Sequence, residues 1–212
     1  MKQMRRLFLL FCIGCVFVPF LAYAQSIEKD ELSIDKKSSA KALVVVYSYT
    51  GNTRAVADEI IERFKTDIVT IKALKYDGFA GSLKANNDAW NEVKNIDIKP
   101  ETVDMSQYNL IFLGSPIWWY RPAVPLWTFV EKNSFKNKAV VLFNTFNSKF
   151  KLEYIEEFIT LVKNKEGRFL DHVYVRRGRW YSQLSRQDLI EKFNIILDIK
   201  EEKFRLVISK GN

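Results

Sequence analysis

The sequence predicts an α/β protein in which a central five-stranded parallel sheet lies between two layers of helices, a three-layer α/β/α sandwich. Five short apolar runs recur along the chain, at residues 42–47, 68–74, 110–114, 139–143 and 172–176. The strongest of them (ALVVVY, LIFLG, AVVLF) have no polar interruption, as suits strands buried on both faces. Segments with helical spacing separate them, the alternation that builds parallel crossover units. At 212 residues, 48% hydrophobic and 27% charged, the chain has the length and balance of one well-buried globular domain.

Each element has its own justification. Residues 42–47 form the first buried strand, and residues 53–65 carry Val56, Ile60, Ile61 and Phe64 on one helical face. Residues 68–74 alternate more and read as a strand nearer an edge. Residues 77–100 read as loop with weakly helical pieces around 85–93, ended by Pro100. The strand at 110–114 runs into a Pro-rich loop and then a helix over 124–131. The strand at 139–143 precedes an amphipathic helix over 152–163. The last strand, 172–176, is followed by a helix over 185–203 that opens on a Ser185 cap. No internal repeat is present, which removes solenoids.

Residues 1–24 read as an export signal. Lys2, Arg5 and Arg6 precede a short apolar run, and Ala22-Tyr23-Ala24 offers small residues for cleavage after Ala24. A retained anchor is the alternative, but a span needs ~20 apolar residues. Lipidation at Cys15, after Gly14, is a weaker one. Residues 25–40 are polar and charged, as expected of a flexible linker, and the domain occupies residues 41–212.

Charge and rare residues restrict the chemistry. The net charge of +8 raises the question of a nucleic-acid or anionic partner. Removal of the signal takes away three bases and lowers it to +5. Export and the absence of any nucleic-acid motif exclude nucleic acid as a partner. Both cysteines, Cys12 and Cys15, lie in the signal, so the mature chain has no thiol. A catalytic triad, a His-rich metal site or a Cys/His dyad is therefore not available, and His172 alone in its strand reads as a structural histidine.

Parallel sheets bind ligands at the carboxyl ends of their strands. After the first strand come Ser48, Tyr49, Thr50, Gly51, Asn52 and Thr53, hydroxyls, an amide and a glycine at a helix start where amide N–H groups are unpaired. This suits a phosphate bound by N–H and O–H donors, with Arg54 directed elsewhere. The Gly-Lys-Ser/Thr ending of a nucleotide-hydrolysing P-loop is missing. After the third strand come Pro116, Ile117, Trp118, Trp119, Tyr120 and Arg121. Neighbouring rings in an extended chain point opposite ways. One Trp is expected to pack beneath the next helix with Leu126 and Trp127, and the other to face a ligand. After the fourth strand come Asn144, Thr145, Phe146, Asn147, Ser148, Lys149 and Phe150, a polar and aromatic loop.

These motifs resemble the flavodoxin-like family, and the Pro116-Ile117-Trp118-Trp119 core resembles one subgroup of it. The resemblance spans roughly residues 41–203. It implies flavin mononucleotide (FMN) as cofactor, with the phosphate on Ser48, Thr50, Asn52, Thr53 and the amides around Gly51. It implies that Pro116 to Trp119 border the isoalloxazine and that residues 144–150 close the far side; if Lys149 of that loop reaches the pyrimidine edge, its charge would favour the reduced flavin. Phe146, Lys149 and Phe150 stand where relatives have a small, glycine-rich loop, and Tyr120 stands where the subgroup often has glycine.

The function expected is that of an exported electron-transfer protein in the bacterial periplasm, whose redox partner is a protein or a membrane donor. Arg176, Arg177 and Arg179, beside Trp180 and Tyr181, form a basic and aromatic surface suited to docking it. A flavin-dependent reductase of quinones or similar acceptors is the second reading, although no Gly-x-Gly-x-x-Gly fingerprint is present. A flavin-free binding module on the same fold is the third.

Overall fold

A computed structural model describes residues 41–209. The expected signal at 1–24, with Cys12 and Cys15, and the expected linker at 25–40 lie outside the described residues. In chain order the elements are β1 (Ala42–Val46), α1 (Asn52–Phe64), β2 (Asp67–Thr70), α2 (Gly78–Trp90), β3 (Leu110–Trp118), β4 (Arg121–Pro122), α3 (Val124–Lys132), β5 (Ala139–Phe146), α4 (Leu152–Asn164), β6 (Arg168–Arg176) and α5 (Arg186–Ser209). Short 3-10 turns occupy Leu74–Tyr76 and Trp180–Ser182.

The expected sheet is present. Five strands run parallel in the order β2-β1-β3-β5-β6, and the two-residue β4 pairs antiparallel with the end of β3. Register aligns Val44 with Phe112 and Phe112 with Val141, so the middle strands stack apolar side chains in rows. Because successive side chains point to opposite faces, each strand supplies two cores. Leu43, Val45, Ile111, Leu113, Val140 and Leu142 pack with residues of α2, α3 and α4. Val44, Val46, Phe112, Val141, Phe143 and Val173 pack with α1 and α5. Burying each such side chain is worth roughly 1.5–3 kcal/mol. On the second face Phe112 lies 5.6 Å from Phe64 and 5.5 Å from Phe204, ring centre to ring centre, which joins both helices to the central strand.

β5 continues past the predicted Phe143 to Phe146, β6 starts at Arg168 and not at His172, and α5 extends to Ser209; three further differences from the sequence reading have physical reasons. The strand predicted to end at Gly114 continues to Trp118, and the expected Pro-rich loop is a hairpin arm. Pro116 is tolerated there because its carbonyl still accepts the Ala123 amide at 3.0 Å, while its missing N–H falls at the end of the pairing with β5. β2 stops at Thr70; Lys72 beyond it makes only an isolated antiparallel bridge with Lys99, and a 3-10 turn begins at Leu74. The weakly helical stretch is a full helix, α2, despite Gly81, Asn86 and Asn87. Tertiary packing overrides propensity there: a side chain at Gly81 would collide with the Tyr76 backbone, so the helix closes tightly on the preceding turn.

No helix among the described residues is long and apolar enough to cross a membrane.

Candidate functional site

At the carboxyl ends of β1, β3 and β5 lies a cavity of about 600 Å³. Three stretches expected from the sequence converge on it. Tyr49, Thr50, Asn52 and Thr53 line one part, Pro116, Ile117, Trp118, Trp119 and Tyr120 another, and Thr145, Phe146, Asn147, Ser148 and Lys149 a third. Three more contributors were not expected as lining: Ser82, Ala85 and Asn86 of α2, then Arg177, then Gln183. No Asp, Glu, His or Cys lines it among the described residues.

The β1–α1 turn is shaped by its backbone. Gly51 caps α1 at φ +84°, a left-handed conformation that costs a residue with a Cβ about 1–2 kcal/mol. Its carbonyl accepts the Ala55 amide at 2.9 Å, while the Ser48 hydroxyl accepts the Arg54 amide at 3.1 Å. Ser48 therefore acts as a helix cap and does not line the cavity. The Asn52 amide donates to the Thr50 hydroxyl at 3.0 Å, which holds the turn's polar groups together. Thr53 is buried, 2.8 Å from the Thr145 hydroxyl, so the turn is tied to the end of β5. Arg54 turns away, as expected: it pairs with Asp58 at 2.7 Å and reaches the Thr70 hydroxyl at 3.2 Å.

The β3–β4 hairpin is shaped by side chains and strain. Trp119 and Tyr120 both have positive φ, 46° and 70°, in a two-residue turn between Trp118 and Arg121. This is the turn geometry for which hairpins usually recruit Asn and Gly. Trp118 is half-buried and meets the rings of Tyr47, Tyr49 and Tyr76 edge-on at 5.6, 5.8 and 5.9 Å. Its aromatic ring contacts come from these three tyrosines, and it packs against the core cluster that includes Leu126 and Trp127, as the sequence suggested for one of the two Trp. Trp127 meets Phe158 at 5.1 Å and the Arg121 guanidinium at 4.7 Å. Trp119 is the exposed member, as expected. Its indole N–H donates to Asn86 Oδ1 at 2.8 Å, and its ring lies 4.4 Å from Trp90.

Arg121 is the unexpected residue beneath the hairpin. It is fully buried, its guanidinium nitrogens have no hydrogen-bond partner among the described residues, and it lies between the rings of Trp127 and Tyr154. Burial lowers its pKa, with the charges of Glu157 and Glu92 opposing that shift.

The third loop folds onto β6. Phe146, Phe150, His172 and Tyr174 form a ring cluster with centroids 4.9 to 5.8 Å apart. Asn144, expected at the ligand, is fully buried and lies outside the cavity lining; its amide donates to the Ser115 carbonyl at 2.8 Å. Since that amide nitrogen is the donor, its Oδ1 accepts from His172 Nε2 at 2.9 Å. Burial pushes the His172 pKa down to about 4, against a smaller opposing pull from the Asp171 charge. The imidazole is therefore a neutral structural donor, as read from the sequence. Lys149 lines the cavity with its ammonium 5.6 Å from the Tyr120 ring.

Arg176 and Arg179 are exposed with Trp180 and Tyr181 beside them, and Arg176 donates to the Asn147 carbonyl at 3.3 Å. Arg177 is half-buried in the cavity wall, and its Nε has no hydrogen-bond partner among the described residues. At the start of α5, Arg186 donates from Nη2 to the Thr50 carbonyl at 3.3 Å. Ser185 caps α5 reciprocally with Asp188, which makes Arg186 the first helical residue; nothing local in the sequence places it beside Thr50.

The arrangement offers an anion a helix start with hydroxyls, and offers a flat ring a wall of aromatics. A family model for flavodoxin matches residues 41–178. No curated protein sequence matches the chain. Among solved structures, a candidate flavoprotein of Bacteroides uniformis ATCC 8492 is 21% identical, covers 74% of this chain and 99% of its own, and superposes with a TM-score of 0.58. A flavoprotein of Lactobacillus acidophilus NCFM, crystallised in complex with FMN, is 23% identical over 64% of this chain and 93% of its own, with a TM-score of 0.53. At these identities the likeness is one of fold.

Proposed function

The chain belongs to the flavodoxin family, and on that premise we propose that it binds FMN in this cavity and works as an electron-transfer protein. The observation that carries the reading is the division of the cavity into a hydroxyl-lined helix start and an aromatic-walled half, with no carboxylate between them among the described residues. The donor set fits the cofactor. Thr50, Asn52, Thr53 and the amides around Gly51 would hold the phosphate, which Ser48 supports by fixing the turn. Pro116 to Tyr120 would border the ring on one side, and Thr145, Phe146 and Lys149 on the other.

FMN supplies one- and two-electron chemistry when bound. The chain's residues set the conditions for it. Aromatic walls keep water from the ring and disfavour added negative charge, and the Lys149 ammonium favours it. Among the described residues the lining includes no Asp, Glu, His or Cys, and its titratable side chains are Tyr49, Tyr120, Lys149 and Arg177. That supports a carrier over an enzyme that relies on carboxylate, imidazole or thiol proton chemistry. Export to the bacterial periplasm is supported by the pattern at residues 1–24. Docking of an acidic redox protein, or of a membrane donor, is supported by the exposed Arg176, Arg179, Trp180 and Tyr181 on the rim.

Steady-state assays with reduced nicotinamide and a quinone separate carrier from reductase. A carrier turns over negligibly in them, yet exchanges electrons with an acidic protein partner at a rate that falls as salt rises. Sustained quinone turnover would make the protein a reductase instead.

A further inference from the structure

We propose that Arg186 is a selectivity residue for the anionic end of the cavity, laying a guanidinium against the Thr50–Gly51 turn that favours a phosphate monoester over an uncharged ribityl terminus. The inference rests on the FMN reading and adds to it a cation from the last helix, beyond the residues 41–178 that the family model matches. Nη2 of Arg186 is 3.3 Å from the Thr50 carbonyl and 3.2 Å from where a Cβ on Gly51 would stand. The guanidinium therefore stands against the first residues of α1, where helix amides need an acceptor.

Three further observations point to an anion there. Arg186 forms no ion pair with a carboxylate among the described residues, whereas Arg54 is held by Asp58 and Thr70. Arg186 is exposed and stands beside the cavity lining rather than in it, next to the lining residue Thr50, and among the described residues that lining includes no acid. Arg186 is also the first residue of α5, where the helix dipole disfavours a cation, and it stands against the equally positive start of α1. Asp188 in the same turn offsets part of this, but its carboxylate accepts from the Ser185 amide and hydroxyl. The carbonyl of Thr50 takes one of the five guanidinium donors and fixes the group's direction. The remaining donors can meet phosphate oxygens in the planar geometry that suits them.

The test is paired titration of the full chain with FMN and with riboflavin, which lacks the phosphate, for the wild type, Arg186→Gln, Arg186→Lys and Arg54→Gln. Arg186→Gln is expected to weaken FMN by about 10- to 100-fold, as for a lost charge-assisted bond, and to leave riboflavin unchanged. Arg186→Lys recovers part of the loss, and Arg54→Gln changes neither ligand. Inorganic phosphate competes with FMN in the wild type and less effectively in Arg186→Gln. Equal weakening of both flavins by Arg186→Gln, or no change in either, overturns the assignment. A wild type that binds neither flavin overturns the FMN reading itself, so the two failures are distinct.

Discussion

The two ends of the cavity are built by different means. At the phosphate end six consecutive residues form a turn whose shape is local: one glycine at φ +84°, one hydroxyl capping a helix amide, one amide bridging to a neighbouring hydroxyl. At the ring end the shape is tertiary. A hairpin with two large residues in left-handed conformation is held by α2 through Asn86 and Trp90, and supported from below by a buried, aromatic-stacked Arg121. Binding of a charged group can be encoded in a short motif, whereas placing a flat ring recruits side chains distant in sequence.

If the ring end depends on buried tertiary contacts, it should be the acid-sensitive part. His172, joined to Asn144 behind the third loop, has its pKa lowered to about 4 by burial. The ordinary value is 6.5. Below that pH the unfolded chain takes up a proton that the folded chain refuses, so the stability this ring contributes above pH 6.5 is lost as the pH falls toward 4. The loss amounts to about 3 kcal/mol. Urea midpoints at pH 7.5 and 4.5 for wild type and His172→Gln measure it. The glutamine keeps a donor for Asn144, and the variant should show a shallower acid slope; equal slopes would place the sensitivity elsewhere.

A smaller effect compares the two positive-φ turns directly. Gly51→Ala imposes the left-handed penalty and should destabilise the chain by about 1–2 kcal/mol. Tyr120→Gly should fall within about 1 kcal/mol of wild type, because relief of the same strain offsets glycine's flexibility and the lost Lys149 and Lys151 contacts to the ring. Thermal unfolding of both variants checks the pair. A large penalty at Tyr120 would mean that its side chain, and not the turn geometry, holds the ring end.

The same contrast explains what was legible in the sequence. The five strands and the residues from Tyr49 to Thr53 could be read because buried runs and turn chemistry leave local patterns. The run at Leu110 could not reveal that its strand continues through Pro116 to Trp118, since that extension depends on pairing with Thr145 and Pro122. Ser82 and Asn86 were hidden because α2 has weak propensity and forms through packing. Asn144 reads like a ligand group, but its partners are Ser115 and His172, brought together only by the sheet. Arg186 is more than a hundred residues from the turn it touches.

The smallest expected effect lies on the cavity's open side. Lys149 favours the extra negative charge of the reduced flavin, so Lys149→Ala should lower the midpoint potential by roughly 20–40 mV at low salt, and by less at high salt where the exposed cation is screened. Spectroelectrochemistry of the two proteins measures it. An unchanged potential would remove Lys149 from the ring's environment.

The proposed function requires the two ends of the cavity to hold one FMN between them. Titrating the purified full chain with FMN while following flavin fluorescence and the visible spectrum tests it most directly. Saturable one-to-one binding is expected, with the fluorescence quenched by the nearby Trp118 and Trp119 rings and the protein turning yellow. A colourless chain that leaves the fluorescence of added FMN unchanged would contradict it.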